Sequence, residues 1–239
     1  MTNRVNLSLC SYWRAGFVLS MLCLALAFAY NSAEMDIKIS GWFFDHATRT
    51  FESNSFFDFI TTWGVLPAQI VAVVAALVLM CSYAFSSCGF LRKGALLCVL
   101  PMVFGAGLIV HPLLKDHWGR PRPRQVETFG GTENFRPFYS PNFTLHSHHK
   151  SFPCGHCTMG FYFYVLIFLG CRLNRPYIRA LGWVLTLFLG ISLSLARIAQ
   201  GGHFFSDTLF TALILWGVTY ACDSYIYERK SSEKVLCKV

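Results

Sequence analysis

The sequence predicts an all-α integral membrane bundle of six transmembrane helices, with a candidate active site at the outer membrane face. Three observations lead there. Of the 239 residues, 54% are hydrophobic and only 13% are charged, a balance that soluble domains of this length rarely sustain. Apolar residues gather in six runs, near 15–30, 64–85, 95–114, 157–171, 180–196 and 208–222. The charges left over divide unevenly between alternate connecting segments.

A helix crossing the hydrocarbon core needs roughly 20 apolar residues. Runs two and three reach that length unaided. The shorter runs reach it by borrowing flanking residues, as helices do when an end is buried in protein instead of lipid. Run one has a second reading. Arg14 precedes it and "ALAFAYNSA" offers small residues, which also suits a cleavable signal peptide.

With the N-terminus inside, segments 1–14, 86–94, 172–179 and 223–239 carry eleven Lys/Arg against three acids, while the outer segments carry nine of each. The positive-inside rule therefore selects an N-in, C-in orientation, with both termini cytoplasmic. The net charge of +8 is mostly this topology signal and gives no reason to expect a nucleic acid partner. Among ten cysteines, Cys154 and Cys157 alone face outward, and the rest read as small apolar packing residues. No repeat or low-complexity linker interrupts the chain, so 1–239 reads as one domain.

Two outer segments are long. Residues 31–63 hold Trp42, Phe43, Phe44, Phe51, Phe56, Phe57, Phe59 and Trp63. Such a set suits either aromatic belts flanking two spans or a lipid-entry gate lying in the interface. Residues 115–156 open with "KDHWGRPRPRQ", which places Lys115, Arg120, Arg122 and Arg124 within ten residues of an extended, proline-held backbone. Arginine grips phosphate well because its planar fork donates two parallel hydrogen bonds. The segment closes with "PCGH", where Pro153 and Gly155 make a turn and His156 begins the next apolar run. A helix N-terminus there offers free N–H groups to an anion.

A third block, "ARIAQGGHFFSD", lies between runs five and six. Arg197 ends run five, and His203 and Asp207 are four apart, so on a helix they share one face. The carboxylate can hold one imidazole nitrogen and leave the other free as base or nucleophile. Each block alone fits a cap or an interfacial ion pair. Under the N-in orientation all three emerge on one face, and charged groups so close to a membrane are usually functional.

Lys115 with Arg122-Pro123, Pro153 with Gly155-His156, and Arg197 with His203 and Asp207 follow the order and spacing of a tripartite signature. The chain from about 95 to 222 thereby resembles the type 2 phosphatidic acid phosphatase superfamily, which includes membrane lipid phosphatases, glucose-6-phosphatase and vanadium haloperoxidases. Two positions depart from its pattern: Cys154 and Ala196 stand where serine is usual.

The resemblance implies a phosphoric monoester hydrolase needing no metal or cofactor. His203 would attack phosphorus and Asp207 would orient its ring. His156 would protonate the leaving oxygen and then activate water. Lys115, Arg122, Arg197 and the Gly155 N–H would hold the phosphate oxygens, with Arg120 as an additional contact. Cys154, read as a neutral thiol, would be a weak donor there. Such a scheme wants His203 neutral and His156 protonated, hence a bell-shaped pH profile.

An outer site beside an aromatic segment favours a membrane lipid over a soluble sugar phosphate. The runs "FGGTENFRPF" and "SFPCGHCTMGF" loosely resemble bacterial inner-membrane members acting on lipid A, which would place the site in the periplasm. Phosphatidylglycerol phosphate, undecaprenyl pyrophosphate and transfer to a second lipid are alternatives. The bilayer is the expected partner, and no obligate protein partner is evident. A rival of another class is a thiol-disulfide oxidoreductase using Cys154 and Cys157. His146, His148 and His149 read as a polar loop before a metal site. The short loops suggest a bacterial protein, in which the sequon at Asn142 is unused.

Overall fold

Runs of apolar residues without alternation can satisfy their backbone only as helices once removed from water, and helices dominate the chain. The computed structural model describes residues 31–143 and 149–227, plus residues 16, 19, 20 and 23. Most of the first apolar run, His146 and His148 lie outside these. A helix covers 31–41 (α1), followed by a hairpin of β1 (Phe44–Asp45) and β2 (Thr50–Phe51), antiparallel with Phe44 opposite Phe51. Then come α2 (Ser55–Trp63), α3 (Leu66–Ala84), α4 (Arg92–Pro101), α5 (Gly155–Phe161), α6 (Tyr164–Arg172), α7 (Pro176–Ala199) and α8 (Phe205–Tyr227). Asn54 caps α2 by accepting the Phe57 N–H at 2.9 Å.

Among the described residues, four helices are long and apolar enough to cross a membrane: Ser55–Ala84, Ser86–Lys115, Pro176–Ala199 and Phe205–Tyr227. They contain runs two, three, five and six. On α3 the large side chains of Ile70, Val73, Leu77 and Met80 are exposed while Ala68 and Ala75 are buried, the pattern of a helix with lipid on most sides.

Runs three and four differ from the uninterrupted helices expected. α4 passes at Pro101 into a π-helix over Met102–Lys115. Pro112 lies inside it; a proline ring crowds the carbonyl four residues back and removes an N–H, which favours the wider winding. Run four is split into α5 and α6 by a tight turn at 162–163, where the Val165 N–H donates to the Tyr162 carbonyl at 3.1 Å. This pair is central: Tyr162, Phe163, Val165 and Phe168 are all buried, and the Tyr162 hydroxyl donates to the Cys98 carbonyl at 2.9 Å. Lined by protein, a short broken helix keeps its polar backbone satisfied. α5 meets α7 so closely that a Cβ on Gly160 would stand 2.6 Å from Gly190 Cα, small-residue packing typical of membrane bundles.

Charges separate along the bundle. At one end Arg172 grips Asp223 with two bonds of 2.8 and 2.7 Å and stacks 4.8 Å above Tyr227, with Lys93 on the same ring. At the other end lie Lys115, the start of α5, the end of α7 and the start of α8.

The aromatic segment 31–63 divides between two roles. Phe44, Phe51 and Phe57 pack inward, Phe44 and Phe51 against Phe129 and Phe204, while Trp42, Phe56, Phe59 and Trp63 are exposed. It therefore builds a cap over the third block as well as an outward aromatic surface.

Candidate active site

Lys115 ends the π-helix and reaches α5: a Cβ added to Gly155 would meet Lys115 Nζ at 3.2 Å and His111 Cε1 at 2.8 Å. A side chain at 155 would push the His111 ring and the Lys115 amine aside, so glycine lets the first and second blocks approach this closely. His111 stands one turn before Lys115 on the same face, and its place in an apolar run hid it from sequence reading. Arg124 ties the first block to the third, its N–H donating to the Gly201 carbonyl at 3.2 Å. In the third block the Gly202 and His203 N–H groups both donate to the Arg197 carbonyl, at 2.9 and 3.2 Å. A Cβ on Gly202 would lie 2.5 Å from Arg197 Nη2, so the guanidinium rests directly on this turn.

The cations then converge. His156 lies within the fields of Arg197, Lys115, His111 and Arg122; burial first, and these charges next, push its pKa down to about 4. Burial and neighbouring Arg124 also lower Arg122. Arg122 Nε and Arg197 Nε are buried without an acceptor among the described residues. Two buried guanidinium groups beside a lysine, with donors to spare, form an arrangement able to hold an anion.

His203 is buried, its pKa pushed down to about 4 by burial, against the opposing pull of Asp207. Its Nδ1 faces Asp207 Oδ2 at 3.6 Å, leaving Nε2 for chemistry. The pair does not share a helix as expected. His203 lies in the loop before α8, and Asp207 in the first turn accepts the Phe204 N–H at 2.9 Å, which folds the loop back onto the carboxylate. The lowered pKa keeps the His203 ring neutral in the free site as pH falls toward about 4. Burial and the same cations favour neutral His156 in the free site, and an anion bound among them would oppose that shift. We expect kcat/KM to peak below neutrality, where substrate brings a proton of pKa about 6, and kcat to peak at higher pH. Coincident profiles with an acid limb near 6.5 would contradict this electrostatic picture.

Two residues expected at the phosphate do other work in the structure. Arg120 does not point to the phosphate cradle. It is buried, with Nη2 on Asp36 at 2.7 Å, Nη1 on Asp207 and Ser206, and Nε on the Arg136 carbonyl. Cys154 is no free thiol: it is disulfide-bonded to Cys157, and Cys171 is disulfide-bonded as well, whereas buried Cys98 and Cys222 are free. A disulfide sulfur has no hydrogen to donate to phosphate. Cys154 still serves structurally, capping α5 and donating its N–H to Thr211 of α8 at 2.9 Å. Both sulfurs are fully buried, out of reach of the attacking thiol that exchange chemistry needs.

Sequence reasoning missed Asp36, Ser151 and Ser206. Ser151 donates to Asp207 at 2.5 Å, and the Ser206 N–H and hydroxyl donate to Asp36 at 2.9 and 2.6 Å. Ser206 could have been suspected from its place between His203 and Asp207. His149 faces Glu133 at 3.3 Å, and the described residues hold no group of three or more His, Cys, Asp or Glu suited to a metal.

Comparison with known proteins identifies the family. Residues 95–231 match the PAP2 superfamily. The chain is 28% identical over 202 residues to a lipid A 4'-phosphatase of Francisella tularensis subsp. novicida (strain U112), covering 82% of this chain and 88% of that protein. It is 29% identical over 136 residues to the lipid A 4'-phosphatase of Rhizobium leguminosarum, covering 55% and 56%. No solved structure gives a significant match. With three charged blocks meeting at one end of an apolar helical bundle, the chain belongs to the PAP2 superfamily and is a membrane lipid phosphatase, a phosphoric monoester hydrolase.

Proposed function

We propose that the protein removes a phosphate monoester from lipid A through a phosphohistidine on His203, at the periplasmic face of a bacterial inner membrane. The observation that carries the mechanism is the pair of buried, unpartnered guanidinium Nε atoms of Arg122 and Arg197 beside Lys115, His156 and His203. The substrate rests on the relatives named lipid A 4'-phosphatase. A six-span, N-in bundle is supported by four long apolar helices, by the central α5–α6 pair, and by run one.

His203 Nε2 attacks phosphorus while Lys115, Arg122 and Arg197 hold the non-bridging oxygens, so that developing charge meets fixed donors. The bond from phosphorus to the ester oxygen breaks, and that oxygen takes the proton of His156. Water then attacks the phosphohistidine, His156 accepts its proton, and the N–P bond breaks. The cations supply the electrostatics that a metal would otherwise provide.

Purified protein in detergent with EDTA, offered lipid A, phosphatidylglycerol phosphate and undecaprenyl pyrophosphate, is expected to release phosphate fastest from lipid A. A preference for either other lipid reassigns the substrate. Phosphate appearing on a second lipid makes the enzyme a phosphotransferase. Activity that requires added metal contradicts the mechanism.

A further inference from the structure

We infer that Asp36 and Arg120 are positioning residues for the reaction, a buried charge clamp that holds Asp207 aligned and negative behind His203. The inference rests on the phosphohistidine reading above and adds residues outside its three signature blocks.

Asp36, Arg120 and Asp207 form a triad in which every member is at most 1% exposed. The guanidinium lies between two carboxylates: Nη2 on Asp36 Oδ2 at 2.7 Å, Nη1 on Asp207 Oδ1 at 2.5 Å. Phe204 covers its face, 4.4 Å from the ring centre. Buried charges cost several kcal/mol each and are weak evidence for stability, so a triad here calls for another reason.

Charge balance supplies it. A lone Arg120–Asp207 pair would be neutral, and the pull of Asp207 on the imidazole would be largely cancelled. Asp36 occupies the second edge of the guanidinium, and the three groups together carry one net negative charge. Every partner of Asp36 is a donor: the guanidinium, the Ser206 N–H at 2.9 Å and the Ser206 hydroxyl at 2.6 Å. Burial and nearby Asp207 raise the Asp36 pKa, and Arg120 and Ser206 oppose them; the guanidinium and the Ser206 N–H can only donate, so geometry favours the carboxylate. The net charge faces His203 Nδ1, 3.6 Å from Asp207 Oδ2, where the ring turns positive as the N–P bond forms.

Geometry is held by the same contacts. Asp207 Oδ2 accepts from Ser151 and the Phe204 N–H, while Oδ1 is taken by Arg120. Asp36 pins the backbone of Ser206, the residue before Asp207. The carboxylate cannot rotate without breaking several buried bonds.

The test uses the full chain in detergent with p-nitrophenyl phosphate, which reads phosphoryl transfer whichever lipid is natural. Asp36→Asn keeps the shape and removes the charge. We expect kcat to fall by about tenfold or more with KM within about twofold, since Asp36 touches none of the phosphate-binding cations. The acid limb of kcat should also move to lower pH, because the groups facing the ring would be Asp207 against Arg197, Lys115 and an unshared Arg120. A folded Asp36→Asn with unchanged kcat, or with only KM raised, overturns the inference. If that variant does not fold, Ser206→Ala decides. It keeps all three charges but loses the hydroxyl joining Asp36 to Arg120, and kcat should fall about threefold or more at constant KM; an unaltered kcat overturns the clamp. His203→Ala is assayed alongside: if it stays active, the phosphohistidine reading fails, and the clamp with it.

Discussion

His203→Ala should lower kcat by about 10⁴-fold or more, the scale seen when a nucleophile is removed, while leaving the protein folded. The imidazole lies at the end of a loop whose backbone is anchored to the Arg197 carbonyl, so truncation removes the ring without disturbing Arg197, Arg122 or Lys115. Phosphate binding should survive and KM should change little. Brief incubation of the wild type with radiolabelled substrate should trap an acid-labile phosphoprotein that the variant lacks. Residual turnover within about tenfold of wild type, or a labelled adduct in the variant, would move the nucleophile elsewhere.

Gly202→Ala should cost kcat/KM about a hundredfold or more, the scale of losing one oxyanion-type donor. The new Cβ would lie 2.5 Å from Arg197 Nη2 and 2.9 Å from Cζ, so the guanidinium must move. Its escape is restricted. Nη1 is tethered to Gln200 at 2.9 Å, and Gln200 donates to Asp58 of α2 at 2.9 Å. Displacement therefore moves the buried Nε from the place where we propose that it holds phosphate, and loosens the contact with α2. Steady-state kinetics beside a thermal melt would check this: a folded variant within about threefold of wild-type kcat/KM would mean that Arg197 does not bind phosphate where we place it.

Much of the site was legible because its chemistry is carried by residue type at short range. Lys115 and Arg122 share one proline-held segment, Gly155 and His156 are adjacent, and His203 and Asp207 are four apart, so their grouping needs little knowledge of the fold. The apolar runs were legible for a related reason: the bilayer requires a length of apolar helix, and composition reports it. Run three did not reveal its π winding, because that depends on how Pro112 is accommodated by its neighbours. Run four read as one span although α5 and α6 are separate, because burial on all sides removes the length requirement.

What the sequence by itself determined was the membrane class, the family and the three blocks of charged residues that the fold brings to one end of the bundle. What only the tertiary structure decided was partner choice among residues far apart in the chain. Asp36 reaches Arg120 across 84 positions and Ser206 across 170, and no local period encodes such a pairing. Arg120 read as a phosphate ligand because an arginine two residues from Arg122 carries the same chemistry wherever it points. Burial between Asp36 and Asp207 turns it from the cradle to the support behind His203. The same holds for Cys154: beside His156 it reads as a weak donor, and only its spatial pairing with Cys157 makes it part of the turn. A charged or polar side chain acquires its role from the groups that share its dry environment, and the fold alone decides which those are.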